Sequence, residues 1–273
     1  MRRAAVAAAL LAAVTFTLFA DEPKKDEPKK EPEKKEPVKY KSNDRTRPRP
    51  KVIDPGTAST ADQPGKPPSD AVILFDGKDL SEWYRSGKKP DAEDAAPTWK
   101  IENGYAELKG GGINSKQKFG NAQLHLEWAT PMEVKGNDQG RGNSGLYLGN
   151  FGEVQILDSF ENDTYPDGQA SALYGKFPPL VNASRKPGEW QTYDIIAHLP
   201  KVDDAGKVTR PGIITVLHNG VVVHHAVEFG GKFGEYQLHI QDHGNPIRFR
   251  NIWVRRLANY DVESTPPPEP KKK

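Results

Sequence analysis

The sequence predicts an all-β fold, a jelly-roll sandwich of two antiparallel sheets. Three observations lead to it. Short alternating or continuous apolar runs recur along the middle of the chain, and no segment holds a helical period over three turns. Asn103-Gly104 and Asn219-Gly220 each separate two such runs, a strong short-range hairpin signal. Roughly 190 residues with about a dozen strands are too many for an immunoglobulin domain and suit a jelly roll. No internal repeat is present, which disfavours a propeller.

Taken in order, residues 72–75 are a first apolar run ended by Asp76-Gly77, and Trp83 and Tyr84 follow. Residues 98–101 and 105–108 are the arms of the first hairpin, and Gly110-Gly111-Gly112 breaks the chain before Ile113. In residues 122–128, Ala122, Leu124, Leu126 and Trp128 share one face and Gln123, His125 and Glu127 the other. Residues 144–148 and 153–158 are two strands joined at Gly149-Asn150-Phe151-Gly152. Residues 190–198 set Trp190, Thr192, Asp194 and Ile196 against Tyr193, Ile195 and Ala197. Residues 213–218 and 221–225 flank the second hairpin turn. Residues 236–240 set Tyr236, Leu238 and Ile240 against Gln237, His239 and Gln241, and residues 249–257 close the domain at about position 259.

The ends have a different composition. Residues 1–20 resemble a secretory signal peptide, with Arg2 and Arg3 ahead of an apolar run over 4–19 and a charged stretch from Asp21. Residues 21–70, rich in Lys, Glu and Pro, are expected to be a disordered linker, and residues 260–273 a tail of the same kind. The expected location is therefore secreted or periplasmic, with no membrane span once the signal is removed. The chain of 273 residues carries a net charge of +2 and no cysteine. Near balance disfavours nucleic acid as a partner, and the cysteine count removes disulfides, Cys-based metal sites and a thiol nucleophile.

The residues with chemical potential gather on residues 140–158. Glu153, Gln155 and Asp158 interrupt the apolar Val154, Ile156 and Leu157. Strict alternation separates the two acids; a β-bulge near Ile156-Leu157 would bring Asp158 onto the face of Glu153 and Gln155. Two carboxyls would then sit roughly 5–10 Å apart, the range used by glycosidases. The competing reading leaves Glu153 at a solvated strand end and Asp158 capping the next loop. His243, in Gln241-Asp242-His243-Gly244, is of the residue type most used as general base or acid, or else it lies in a turn bonded to backbone. Gly140-Arg141-Gly142-Asn143-Ser144-Gly145 offers polar hydrogen-bond partners but lacks the spacing of a phosphate loop. No spacing is diagnostic of a metal site and no motif indicates a cofactor, while Glu, Asp and His are present for a divalent ion.

Six motifs in order resemble one family. They are Leu74-Phe75-Asp76-Gly77-Lys78-Asp79-Leu80 with Trp83; Gly142-Asn143-Ser144-Gly145; Glu153-Val154-Gln155-Ile156-Leu157-Asp158; Ala172-Leu173-Tyr174-Gly175 with Glu189-Trp190; Gln241-Asp242-His243-Gly244; and Phe249-Arg250-Asn251-Ile252. They are similar to the 3-keto-disaccharide hydrolase domain family. The resemblance implies a concanavalin A-like jelly roll with a carbohydrate on its concave face. It also implies hydrolase or lyase action on the glycosidic bond of a 3-keto sugar by elimination and rehydration. A divalent ion could serve to stabilise the enolate of that elimination. Glucanases of this fold carry Glu-x-Asp-x-(x)-Glu where this chain has Glu153, Gln155 and Asp158, so a double-displacement mechanism is not transferred. On this reading Glu153, Asp158 and His243 are the catalytic candidates, with Glu153 or His243 as base and Asp158 as acid or orienter. Asn143, Gln155, Tyr174, Lys176 and Gln241 are the substrate-binding candidates. The alternative is a non-catalytic, lectin-like module on the same fold.

Overall fold

The structure, a computed structural model, describes residues 40–258. The expected signal peptide, the linker up to residue 39 and the tail over 260–273 lie outside the described residues. The described residues fall into two units, divided between Arg47 and Pro48. In the first, Asp44 Oδ1 accepts from the Thr46 amide and hydroxyl, and the Arg47 guanidinium lies 6.0 Å from the Tyr40 ring centre.

The second unit is all-β apart from short 3-10 turns. Its strands are β1 (Val72–Phe75), β2 (Trp83–Arg85), β3 (Lys100–Glu102), β4 (Tyr105–Glu107), β5 (Ile113–Ser115), β6 (Ala122–Ala129), β7 (Ser144–Leu148) and β8 (Glu153–Ile156). They continue with β9 (Gln191–His198), β10 (Lys201–Val202), β11 (Val208–Arg210), β12 (Gly212–His218), β13 (Val221–Phe229), β14 (Leu238–Ile240) and β15 (Arg248–Arg256). Two antiparallel sheets form the sandwich. The larger runs β13-β12-β9-β6-β15-β4-β3, with β1 also on β15; the smaller runs β2-β5-β14-β7-β8. Both hairpins form where Asn-Gly predicts them. Asn103 and Gly104 have φ of 49° and 78°, and Asn219 and Gly220 of 52° and 79°, the left-handed pair that a two-residue turn between twisted strands demands.

The core lies between the sheets. Leu124, Leu126 and Trp128 of β6 and Tyr193 and Ile195 of β9 meet Leu146, Leu148, Val154, Ile156, Leu238 and Ile240 of the smaller sheet. Period-two alternation follows: Val154 and Ile156 face inward, and Glu153 and Gln155 turn to the outer face.

The outer face of the larger sheet departs from expectation. Glu127 is fully buried, and residues 54–70, expected within the disordered linker, form a hydrogen-bonded strap over it. Ser59 Oγ donates to Glu127 Oε1 at 2.6 Å, while Arg250 Nε donates to Oε2 at 2.7 Å and Asn251 Nδ2 to Oε1 at 2.7 Å. The strap closes on itself through Thr57 N to Lys66 O at 3.0 Å and Ser69 N to Asp54 O at 2.9 Å. Its order rests on polar partners for a buried charge rather than on apolar burial, which is why a polar, Pro-rich composition conceals it. His125 stacks on Trp253 and gives Nδ1 to Asp194 Oδ1 at 2.7 Å. Burial opposes its charge, but Asp194 and Glu127 raise its pKa to about 9. Burial likewise works against the Glu127 charge, and His125, Ser59, Asn251 and Arg250 hold its pKa down at about 2.

Candidate active site

The outer face of the smaller sheet carries a row of polar and aromatic side chains, one from each strand. Register pairs Tyr84 with Asn114, Asn114 with His239, His239 with Tyr147, and Tyr147 with Glu153. The row continues past β8. Leu173 bridges to Val154, and the Tyr174 amide donates to the Glu153 carbonyl at 3.1 Å, so Tyr174 flanks Glu153 on the far side. The Tyr165 and Tyr174 hydroxyls are hydrogen-bonded and their rings meet edge to face. Directly opposed side chains on one face of a sheet lie within reach of one another, so the row is a continuous surface.

Glu153 is the acid of this row. Tyr147 Oη donates to its Oε2 at 2.8 Å, and Gln241 Nε2 donates to Tyr147 Oη at 3.3 Å. Burial raises the Glu153 pKa, opposed by the Tyr147 hydrogen bond and by the charge of His243. Burial and the neighbouring Glu153 also raise Tyr147, so the phenol keeps its proton and remains a donor. Gly145, opposite Gln155 in the register, makes room for the carboxyl: a Cβ there would lie 2.8 Å from Glu153 Cδ. An acid of raised pKa in a half-buried polar surface is suited to giving up and taking back a proton.

The amides form a cluster at the end of β7 and β8. Gln155 Nε2 donates to Gln139 Oε1 at 2.9 Å, and Asn143 Nδ2 donates to the Gln139 carbonyl at 2.6 Å. Gln139, on a short turn, also donates to Thr164 Oγ1 at 2.8 Å and to the Gly168 carbonyl at 3.0 Å. Asn143 and Gln155 are thus brought together, but by a third amide rather than by an open cleft.

Asp158, expected as acid or orienter, is engaged in an ion pair. Regular pairing ends at Ile156, and Ile156 and Leu157 both enter the core, so the alternation breaks where a bulge was anticipated. The carboxylate that follows is buried and held: Oδ2 accepts from Arg141 Nε at 2.7 Å. The same guanidinium donates to the carbonyls of Phe160 and Glu161. A carboxylate held by a guanidinium in a buried pair is a loop anchor.

The other candidates divide. His243 is exposed, yet its charge acts on Glu153. Asp242 does not orient it, since its oxygens accept from the amides of Gly111 and Gly244, each at 2.8 Å. Lys176 is drawn to the other sheet, with its ammonium 4.8 Å from the Phe229 ring centre. Tyr147, Gln139, Tyr165, Asn114 and Tyr84 were not singled out as site residues from sequence. The available signal was parity: Tyr147 shares a face with Gly145, and His239 with Gln241. Among the described residues, no group of three or more His, Asp and Glu side chains is arranged to hold a metal ion, and no helix is long and apolar enough to cross a membrane.

Comparison with known proteins gives consistent relatives. The family model for the 3-keto-alpha-glucoside-1,2-lyase-like domain matches residues 70–255. The 3-keto-disaccharide hydrolase of Bacteroides thetaiotaomicron is 27% identical over 245 residues, covering 68% of this chain and 78% of that protein. A crystal structure from Parabacteroides distasonis, described as a glycosyl hydrolase, superposes with a TM-score of 0.69 at 38% identity, covering 77% of this chain and 93% of that one. A second structure from the same organism, at 17% identity and a TM-score of 0.52, shares the fold and covers 69% of this chain and 94% of its own.

Proposed function

Because the chain belongs to the family of 3-keto-alpha-glucoside-1,2-lyase-like domains, we propose that it cleaves the glycosidic bond of 3-keto disaccharides by elimination followed by hydration. A ketone at C3 acidifies the C2 hydrogen, because the resulting carbanion is delocalised as an enolate. A base takes that proton, the C1–O bond breaks as the C1–C2 double bond forms, and the departing oxygen takes a proton from an acid. Water then adds at C1 and a proton returns to C2, so the net change is hydrolysis.

The observation that carries this reading is the Tyr147–Glu153 pair, set in a row of aromatic and polar side chains suited to a sugar ring. Glu153, its pKa raised by burial, protonates the leaving oxygen and then, as carboxylate, accepts the proton of the incoming water. Gln241 and Tyr147 hold that carboxyl in place. Tyr174 and Tyr165 extend the surface at the edge of the sheet and are suited to the departing sugar. Export is part of the proposal, supported by Arg2, Arg3 and the apolar run over 4–19.

The test is product formation from purified protein given 3-keto-trehalose, 3-keto-sucrose and their unoxidised parents. Release of free 3-keto-glucose from the oxidised sugars alone is the expected result. Cleavage of the parents at an equal rate refutes the elimination chemistry, and binding without any product favours a lectin-like role.

A further inference from the structure

The elimination needs a base for C2, and the structure offers one that the sequence motifs passed over. His239 lies in the middle of the row, between Asn114 and Tyr147. Its Nδ1 is 3.1 Å from the Ile113 carbonyl oxygen, 3.1 Å from Asn114 Oδ1 and 3.0 Å from Ser86 Oγ. A backbone carbonyl can only accept, so the hydrogen of the neutral ring sits on Nδ1. Nε2 then carries the lone pair, and among the described residues it has no hydrogen-bond partner. Asn114 Nδ2 in turn donates to Ser86 Oγ at 3.3 Å, which holds the oxygens around Nδ1 in place. Gly112 gives the ring space, since a Cβ there would lie 2.8 Å from His239 Cε1.

We propose that His239 Nε2 is the base that removes the C2 hydrogen, with the sugar ring lying over Tyr147 between His239 and Glu153. This rests on the 3-keto substrate reading given above. The two groups stand two strand spacings apart, roughly 10 Å between backbones. The span is comparable to the ~6.5–9.5 Å between paired acid and base groups that act on opposite sides of one sugar. The C2–H bond breaks and its proton goes to Nε2; the electron pair passes into the enolate and then into the C1–C2 double bond as C1–O breaks. The leaving oxygen takes the Glu153 proton. Water adds to C1 and gives its proton to Glu153, and His239 returns its proton to C2, so both groups end as they began. The acceptors around Nδ1 favour the transient imidazolium, the role that a carboxylate plays behind the histidine of a hydrolase triad. Burial keeps the resting ring neutral by lowering its pKa, partly offset by the Ile113 hydrogen bond. His243, the other histidine near Glu153, is exposed on a loop and has no comparable anchor among the described residues.

The test separates proton abstraction from cleavage. A 3-keto-1,5-anhydro sugar has a C2 hydrogen beside the ketone and no aglycone on C1, so in heavy water the enzyme exchanges that hydrogen without releasing a second sugar. Proton NMR of the wild-type protein is expected to show loss of the C2 signal. His239→Asn, which keeps a donor for the Ile113 carbonyl but removes Nε2, is expected to slow the exchange by about 100-fold or more. Undiminished exchange in His239→Asn, or loss in His243→Asn alone, overturns the assignment while leaving the substrate reading intact. A wild-type protein that neither exchanges this probe nor cleaves 3-keto disaccharides overturns the substrate reading, and the inference with it. Should His239→Asn fail to fold, nitrogen NMR of the wild-type ring decides. Protonated Nδ1 with bare Nε2 is the expected tautomer, and the reverse tautomer overturns the proposal.

Discussion

Tyr147 and Glu153 face each other across the β7–β8 pair, and the phenol donates to the carboxyl at 2.8 Å. That bond opposes the effect of burial on the acid. Removing it with Tyr147→Phe leaves burial less opposed, so the Glu153 pKa rises further. Activity that depends on protonated Glu153 falls as pH rises through that pKa, so the alkaline limb of kcat/KM is expected to move to higher pH in the variant. Glu153→Gln is expected to lower kcat by about 10²–10⁴-fold with the fold intact. A pH–rate series on both proteins checks the pair, and an unmoved limb in Tyr147→Phe counts against it.

Gly145→Ala tests the room left for the carboxyl. The backbone there requires no positive φ, so the cost is steric. The new methyl displaces the Glu153 side chain, the flexible partner, more readily than it disturbs the sheet. Turnover is expected to fall by about 10-fold or more while the melting temperature moves little. A large loss of stability with normal turnover in the folded protein would contradict this.

Asp158→Asn separates an anchor from an acid. Breaking a buried ion pair costs about 3–5 kcal/mol. The variant is expected to unfold at clearly lower denaturant concentration and to keep most of its turnover below that point. Loss of turnover at full stability would restore Asp158 to the chemistry.

Stability should depend on pH through His125 and Glu127. The His125 pKa is raised from 6.5 to about 9, so its contribution is complete below 6.5 and disappears as pH rises through about 9. The Glu127 pKa is lowered from 4.5 to about 2, so its contribution is complete above 4.5 and disappears as pH falls through about 2. Both are complete between pH 4.5 and 6.5. Denaturant melts from pH 4 to 10 are expected to peak in that interval and decline on the alkaline side. Ser59→Ala, which removes a donor to the buried Glu127, is expected to lower stability by about 1.5–3 kcal/mol.

Much of the fold could be read in advance because its signals are local. Asn103-Gly104 and Asn219-Gly220 fix their hairpins within four residues, and alternation in residues 190–198 and 236–240 sorts inner from outer side chains. The site was legible only in part. Glu153, Gln241 and Tyr174 do meet on one surface, but Tyr147 and His239 join them through the order β5-β14-β7-β8, which pairs strands far apart in the chain. No local window contains that order. The ion pair of Asp158 was not legible because its partner, Arg141, lies 17 residues away on a loop whose glycines suggest only a turn. The strap was missed because hydrogen bonds, unlike apolar runs, leave no periodic trace in a sequence.

The family match starts at residue 70, yet Ser59 reaches back across that boundary to a carboxylate at the centre of the larger sheet. The cooperative unit is therefore longer than the recognisable domain, and an expression boundary drawn at residue 70 would leave Glu127 without one of its donors. The same link predicts that the two positions change together among relatives. A relative that has lost the segment before its first strand should have replaced the acid at the position of Glu127, or should supply a hydroxyl or amide from another loop to cover it.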